Sequence, residues 1–170
     1  AKDLVAKTDK QEQRIRWHRV PAKSSGETSL VKQGSSLSGG WEKFELHDLD
    51  LKNGNTLKIK GKLSGDARNF SFNLGRGSSD IGLHFNPRLH ENTIVCNSKR
   101  SNNWESEQRS GHMCFSPGTD VKVSIKFSGD KFEVKLPDGN EISFPNRHGY
   151  DKINYLSVKG DFKVSSFKCE

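Results

Sequence analysis

Val121-Lys122-Val123-Ser124-Ile125-Lys126-Phe127 alternates apolar with polar residues without a break. After Ser128-Gly129-Asp130-Lys131 the alternation resumes in Phe132-Glu133-Val134-Lys135-Leu136, and after Pro137-Asp138-Gly139-Asn140 it resumes at Ile142 and Phe144. Successive side chains of an extended chain point to opposite faces, so each run reads as a strand with one dry and one wet face. The Gly-containing connections are those of antiparallel hairpins. The same rhythm extends outward: Leu57, Ile59, Gly61 and Leu63 alternate with Lys58, Lys60 and Lys62, and Phe70, Phe72 and Leu74 with Ser71 and Asn73. Turn dipeptides punctuate it at Asn53-Gly54, Ser64-Gly65, Arg76-Gly77, Pro117-Gly118, Ser128-Gly129, Asp138-Gly139, His148-Gly149 and Lys159-Gly160. Short strands separated by turns every 8–12 residues or so predict an all-β antiparallel sandwich or barrel.

The whole chain has 170 residues with a net charge of +7, enough for one domain with or without a tail. A basic balance permits an anionic partner without requiring one. No apolar run approaches the ~20 residues of a membrane-spanning helix, so no membrane insertion is expected. The first twenty residues are studded with Lys and Arg and lack the apolar core of a secretory signal. Cys96, Cys114 and Cys169 are widely separated and odd in number, which predicts free thiols, a reducing and therefore cytoplasmic compartment, and no thiolate zinc site.

Composition divides the chain near residue 40. Residues 1–40 hold 8 basic and 4 acidic residues and only 7 of Leu, Ile, Val and Phe, whereas all ten phenylalanines lie beyond. Such a segment cannot offset its chain entropy by burial, and Gly34-Ser35-Ser36-Leu37-Ser38-Gly39-Gly40 reads as a flexible linker. Residues 1–40 are therefore expected to be a mostly disordered basic extension, with a frayed helix over 3–18 at most, and residues 41–170 a sandwich domain. The cluster Arg14, Arg16, Trp17, His18, Arg19 is read as a solvated charge run, and nucleic acid is not an expected partner.

One run departs from the usual polar face. In Gly82-Leu83-His84-Phe85-Asn86-Pro87-Arg88, His84, Asn86 and Arg88 stand two apart and share one face. Three planar, directional hydrogen-bonding heads in a row suggest a recognition surface. In the next run Asn97 shares a face with Val95, while Cys96 falls on the other face as a small buried hydrophobe. Trp104 then enters a polar segment, followed by Glu107 and Arg109, two apart and able to hold each other or to reach Arg88. An exposed indole beside a carboxylate and arginines suits a sugar, whose C–H face stacks while its hydroxyls find charged partners. His18, His47, His90, His112 and His148 have no second ligand at metal spacing and read as surface residues.

His84-Phe85-Asn86-Pro87-Arg88, Val95-Cys96-Asn97 and Trp104 with Glu107 and Arg109 resemble the sugar-binding signature of the galectins, in particular the prototype single-domain group. The resemblance covers essentially all of residues 42–170, including Phe115-Ser116-Pro117-Gly118 and Phe144-Pro145-Asn146-Arg147. It implies a jelly-roll β-sandwich of a five- and a six-stranded sheet that binds β-galactosides without metal, cofactor or catalysis. By that resemblance His84, Asn86 and Arg88 would bond the axial O4 of galactose, Asn97 and Glu107 its O6, and Trp104 would lie beneath the ring. Arg88, Glu107 and Arg109 would meet the next sugar. The implied partners are β-galactoside-bearing glycans and glycoproteins and a second copy in a homodimer, with release from the cytoplasm by a non-classical route.

Two departures from the family pattern stand out. Glu105 occupies a position usually held by glycine, where a positive φ would strain a glutamate and shift Trp104, and the basic extension is atypical of the prototype group. Two other readings are weaker. A sandwich hydrolase needs two carboxylates flanking the scissile bond, whereas Glu105 and Glu107 are expected on one side of any ligand. An interaction protein with a lost site would not need so complete a residue set.

Overall fold

The computed structural model describes residues 44–170, and within residues 1–43 only the strands β1 (Leu4–Lys7) and β2 (Arg16–Arg19), which pair antiparallel with Leu4 opposite Arg19. Those eight residues form a short ladder. The mostly disordered extension expected over residues 1–40, and its linker, otherwise lie outside the described residues.

From Phe44 onward the chain is built of strands: β3 (Phe44–Leu46), β4 (Leu51–Lys52), β5 (Thr56–Leu63), β6 (Phe70–Gly77), β7 (Asp80–Arg88) and β8 (Thr93–Arg100). They are followed by β9 (Asn103–Trp104), β10 (Gln108–Ser110), β11 (Asp120–Phe127), β12 (Lys131–Lys135), β13 (Glu141–Pro145), β14 (Lys152–Ile153), β15 (Tyr155–Gly160) and β16 (Phe162–Cys169). A 3-10 turn at Leu89–Glu91 separates β7 from β8. One sheet runs β13-β12-β11-β5-β16 and the other β10-β8-β7-β6-β15-β3, all antiparallel, as the jelly-roll sandwich requires. β11, β12 and β13 form the simple meander of the opening stretch, and β6, β7 and β8 form a second one. β5 pairs with β11 and β16, so it leaves the sheet of its sequence neighbour β6. The second sheet has seven strands rather than six, because β9 pairs with the end of β8, Trp104 opposite Lys99 and Asn103 opposite Arg100.

The dry faces meet as the alternation dictates. Leu57, Ile59 and Leu63, Val121, Val123, Ile125 and Phe127, and Phe70, Phe72 and Leu74 all enter one core. All ten phenylalanines are buried. Phe162 stacks on Phe70 and meets Phe72 edge-on at 5.1 Å between centroids, joining the two sheets through aromatic contacts. Of the eight turn glycines, Gly54, Gly118, Gly129, Gly139, Gly149 and Gly160 have positive φ, which explains why glycine occupies them.

Candidate functional site

With Phe70, Phe72, Leu74, Leu83, Phe85, Ile94, Cys96, Leu156 and Val158 turned to the core, the opposite face of the seven-stranded sheet is polar. Register builds a file across five strands: Asn97 lies opposite His84, His84 opposite Asn73, Asn73 opposite Ser157, and Ser157 opposite Glu45. A second file sets Arg109 beside Val95 and Val95 beside Asn86, and a third sets Arg88 opposite Thr93. His84, Asn86 and Arg88 share one face, as their spacing predicts, and the register sets Asn97 and Arg109 beside them.

His84 sits at the middle of the first file. Its Nδ1 is 2.6 Å from Asn73 Oδ1, while Asn73 Nδ2 donates to Ser157 Oγ at 3.1 Å and Ser71 Oγ at 3.3 Å. With the Asn73 amide nitrogen committed as a donor, its oxygen accepts from the Nδ1 proton of His84, and Nε2 carries the ring's lone pair. Burial, reinforced by Arg88, Lys159 and Lys99, pushes the imidazole down to about 4, so it is neutral at physiological pH. The result is a fixed acceptor among cations.

Asn86 and Arg88 are equally constrained. Asn86 Nδ2 donates to Asn69 Oδ1 and to the Phe70 carbonyl, both at 2.8 Å, and its Oδ1 accepts from Arg88 Nε at 2.9 Å. Arg88 Nη1 also donates to Glu91 Oε2 at 3.3 Å, with Glu91 set by the 3-10 turn. Asn86 is only 5% exposed, and Asn97 on the neighbouring strand 4%. Both are buried because their amides are internally bonded, which is what makes such burial affordable.

Asn97 takes its hydrogen-bond partners outside the row. Its Nδ2 donates to the Glu105 carbonyl at 3.1 Å, and its Oδ1 accepts from the Ser98 amide at 2.8 Å. It holds the segment between β9 and β10, which carries Trp104, Glu105 and Glu107. Arg147 grips the same segment from β13's outgoing turn, donating through Nη1 to the Ser106 carbonyl at 2.7 Å and Ser98 Oγ at 3.1 Å. Glu107 Oε2 accepts from Arg109 Nε at 2.9 Å, completing an exposed ion pair, while Arg88 takes Glu91 as its partner.

Trp104 is 50% exposed, the one large hydrophobic so exposed among the described residues. Its ring lies 4.6 Å from that of His84 between centroids, and the Lys99 ammonium sits 4.8 Å from its centre. β9 thus brings an indole to the end of the polar file. The expected strain at Glu105 is not found: among the described residues the non-glycine positions with positive φ are Asn92, Ser101 and Asn102, and the turn before β9 takes up the left-handed conformation at the last two. Glu105 instead reaches His148, Oε1 to Nε2 at 2.5 Å, and His148 Nδ1 meets Tyr150 Oη at 2.9 Å. That bond, first among several, holds the Glu105 carboxyl below its usual range. His148 was read as a surface histidine; its side chain is 4% exposed, covered by this contact.

Sequence reading missed Asn73, Ser157, Arg147 and His148. Asn73 lies in an ordinary alternating strand and Arg147 in a turn, and nothing local marks either. Among the described residues no group of His, Cys, Asp and Glu side chains could hold a metal. Cys96, Cys114 and Cys169 are free, and burial pushes the first two thiols up to about 12 and 11, leaving them weak nucleophiles.

Residues 44–169 match the family described as galactoside-binding lectin. Galectin-2 of Homo sapiens is 53% identical over 125 residues, 74% of this chain and 95% of the human protein. The crystal structure of chicken galectin 2 is 60% identical, with a TM-score of 0.73 over 75% of this chain and 98% of that one. A homodimeric agglutinin from chicken liver is 43% identical, with a TM-score of 0.72 over 75% and 99% of the two chains.

Proposed function

The chain belongs to the galactoside-binding lectin family, and from that premise we propose that it binds terminal β-galactosides on the outer face of its seven-stranded sheet. The observation that carries the assignment of residues is the neutral, buffered acceptor at His84 flanked by the bonded guanidinium of Arg88 and the exposed indole of Trp104. An axial hydroxyl standing over this row would donate to His84 Nε2 and accept from Arg88. The apolar face of the same ring would cover Trp104. Glu107 and Arg109, paired and exposed, suit the hydroxyls that follow. Asn86 acts by aiming Arg88. Asn97 serves here by fixing the segment that carries Trp104 and Glu107, and its proposed contact to O6 is secondary to that.

The same reading makes the chain a binder rather than a glycosidase. A general acid of that class needs a carboxyl raised toward neutrality, and Glu105 is held low by His148. Neither metal nor organic cofactor enters the proposal. Pairing of two copies is inferred from the homodimeric relative and from β3 and β16, the terminal strands of the two sheets, which meet through Phe44 and Phe167 at 5.8 Å between ring centroids. Two copies would cross-link glycoconjugates. Three free thiols support a reducing, cytoplasmic residence, and the family resemblance alone carries the further proposal of non-classical release.

Calorimetry with lactose tests the site. Trp104→Ala is expected to remove detectable binding while leaving the melting temperature within about 2 °C, because an exposed indole adds little to the core. Affinity retained within about a factor of two, against the 1–3 kcal/mol that stacking on an aromatic commonly contributes, would contradict the assignment. EDTA should leave the titration unchanged.

A further inference from the structure

On the other side of the molecule, the outer face of the five-stranded sheet carries a lattice of lysines. Lys58, Lys60 and Lys62 of β5 alternate outward, with Lys122 on β11, Lys135 on β12 and Lys163 on β16. Lys60 lies directly opposite Lys122, and Lys62 directly opposite Lys163. Like charges in direct register repel, and among the described residues none of these four has an ion-pair partner. Asp120, opposite Lys62, is the single acid in their rows. Two adjoining concavities mark this surface, one edged by Lys58, Lys122 and Lys135, the other by Lys60 and Lys122 with Asp120 beside them.

The next row contains an internal stand-in for an anion. Lys58 is opposite Lys168, and one carboxylate resolves that pair: Glu170 Oε2 lies 3.0 Å from Lys58 Nζ and Oε1 2.8 Å from Lys168 Nζ. One anionic group bridging two cross-strand lysines is the geometry that the other two pairs, which have no such bridge, could repeat.

We propose that this lysine face binds a linear polysulfated polysaccharide, its anionic groups bridging Lys60 with Lys122 and Lys62 with Lys163 as Glu170 bridges Lys58 with Lys168. The surface favours that occupant over other polyanions. Single-stranded nucleic acid is held by aromatic platforms, and an anionic membrane by apolar side chains that enter the interface. The exposed aromatic Trp104 belongs to the opposite sheet. Lysines about 4.8 Å apart across strands and ~7 Å apart along them offer point charges in two dimensions. The proposal is independent of the galactoside site, since the two faces are separated by the core.

The test uses the full chain on immobilised heparin in saturating lactose, which keeps the other face occupied. Binding should persist, and it should weaken steeply with added salt through counterion release. Lys60→Gln/Lys122→Gln/Lys163→Gln should lose roughly tenfold or more, as expected for three lysines near an anionic surface, with lactose affinity unchanged. Should that variant not fold, Lys122→Gln alone, exposed and shared by both concavities, is expected to lose about threefold. Displacement of the protein by lactose, a triple variant within twofold of the parent, or an unaffected Lys122→Gln would each overturn the proposal. So would tighter binding to phosphatidylserine vesicles or single-stranded DNA at equal anionic charge.

Discussion

His84 is a histidine kept from behaving as a base. Its Nδ1 proton is spent on Asn73, and burial with three neighbouring cations holds the ring down to about 4. An ordinary histidine would charge near pH 6.5, lose its lone pair and stop accepting. Because the folded value is depressed, the accepting form persists as pH falls through 6.5 and is lost only as pH approaches 4. Lactose affinity measured from pH 7.5 to 5.5 is therefore expected to vary by less than about twofold; a decline centred near pH 6.5 would contradict the role given to this ring. The row itself was legible, because i, i+2, i+4 spacing fixes a common face whatever the tertiary setting. The partners that tune it were not. Asn73 is eleven residues from His84 and Arg147 fifty from Asn97, and such contacts arise from strand order, which a single sequence does not print. The Glu105–His148 bond spans forty-three residues and was illegible for the same reason, so Glu105 looked like a strained replacement for glycine instead of a tether.

At the scale of elements, the strands with strict alternation were readable with their faces, from Thr56–Leu63 to Glu141–Pro145. β9 was not, since two residues carry no period, and it exists because the Ser101–Asn102 turn folds it onto β8. Gly61 fits the alternation of β5 as a core position and shows why that position has no side chain. A Cβ there would run into the Lys163 carbonyl and the Phe162 ring, beside the bulge between Val164 and Ser166. Gly61→Ala should destabilise the domain by about 1–3 kcal/mol, the usual range for overpacking. The check is a lower urea midpoint with an unchanged slope; an unchanged midpoint would mean that β16 slides away freely.

At the scale of the molecule, the two end strands β3 and β16 give a second copy two adjacent edges to join. By sequence the basic extension enters just before β3, and each copy brings a net +4 from residues 1–40. Screened within roughly 8 Å at physiological salt, that charge should weaken pairing without forbidding it. Sedimentation is expected to detect a homodimer that tightens as salt rises and on deletion of residues 1–40. A chain that stays monomeric at every salt concentration, or is indifferent to the deletion, would count against it. The account as a whole rests on one discrimination, that of an axial from an equatorial hydroxyl above His84 and Arg88. Paired calorimetric titrations with lactose and cellobiose, whose terminal sugars differ at O4, measure it directly. Each unpaired buried donor or acceptor costs about 1–3 kcal/mol, so lactose should bind once per chain and cellobiose at least tenfold more weakly. Equal affinities, or no heat with lactose, would contradict the account.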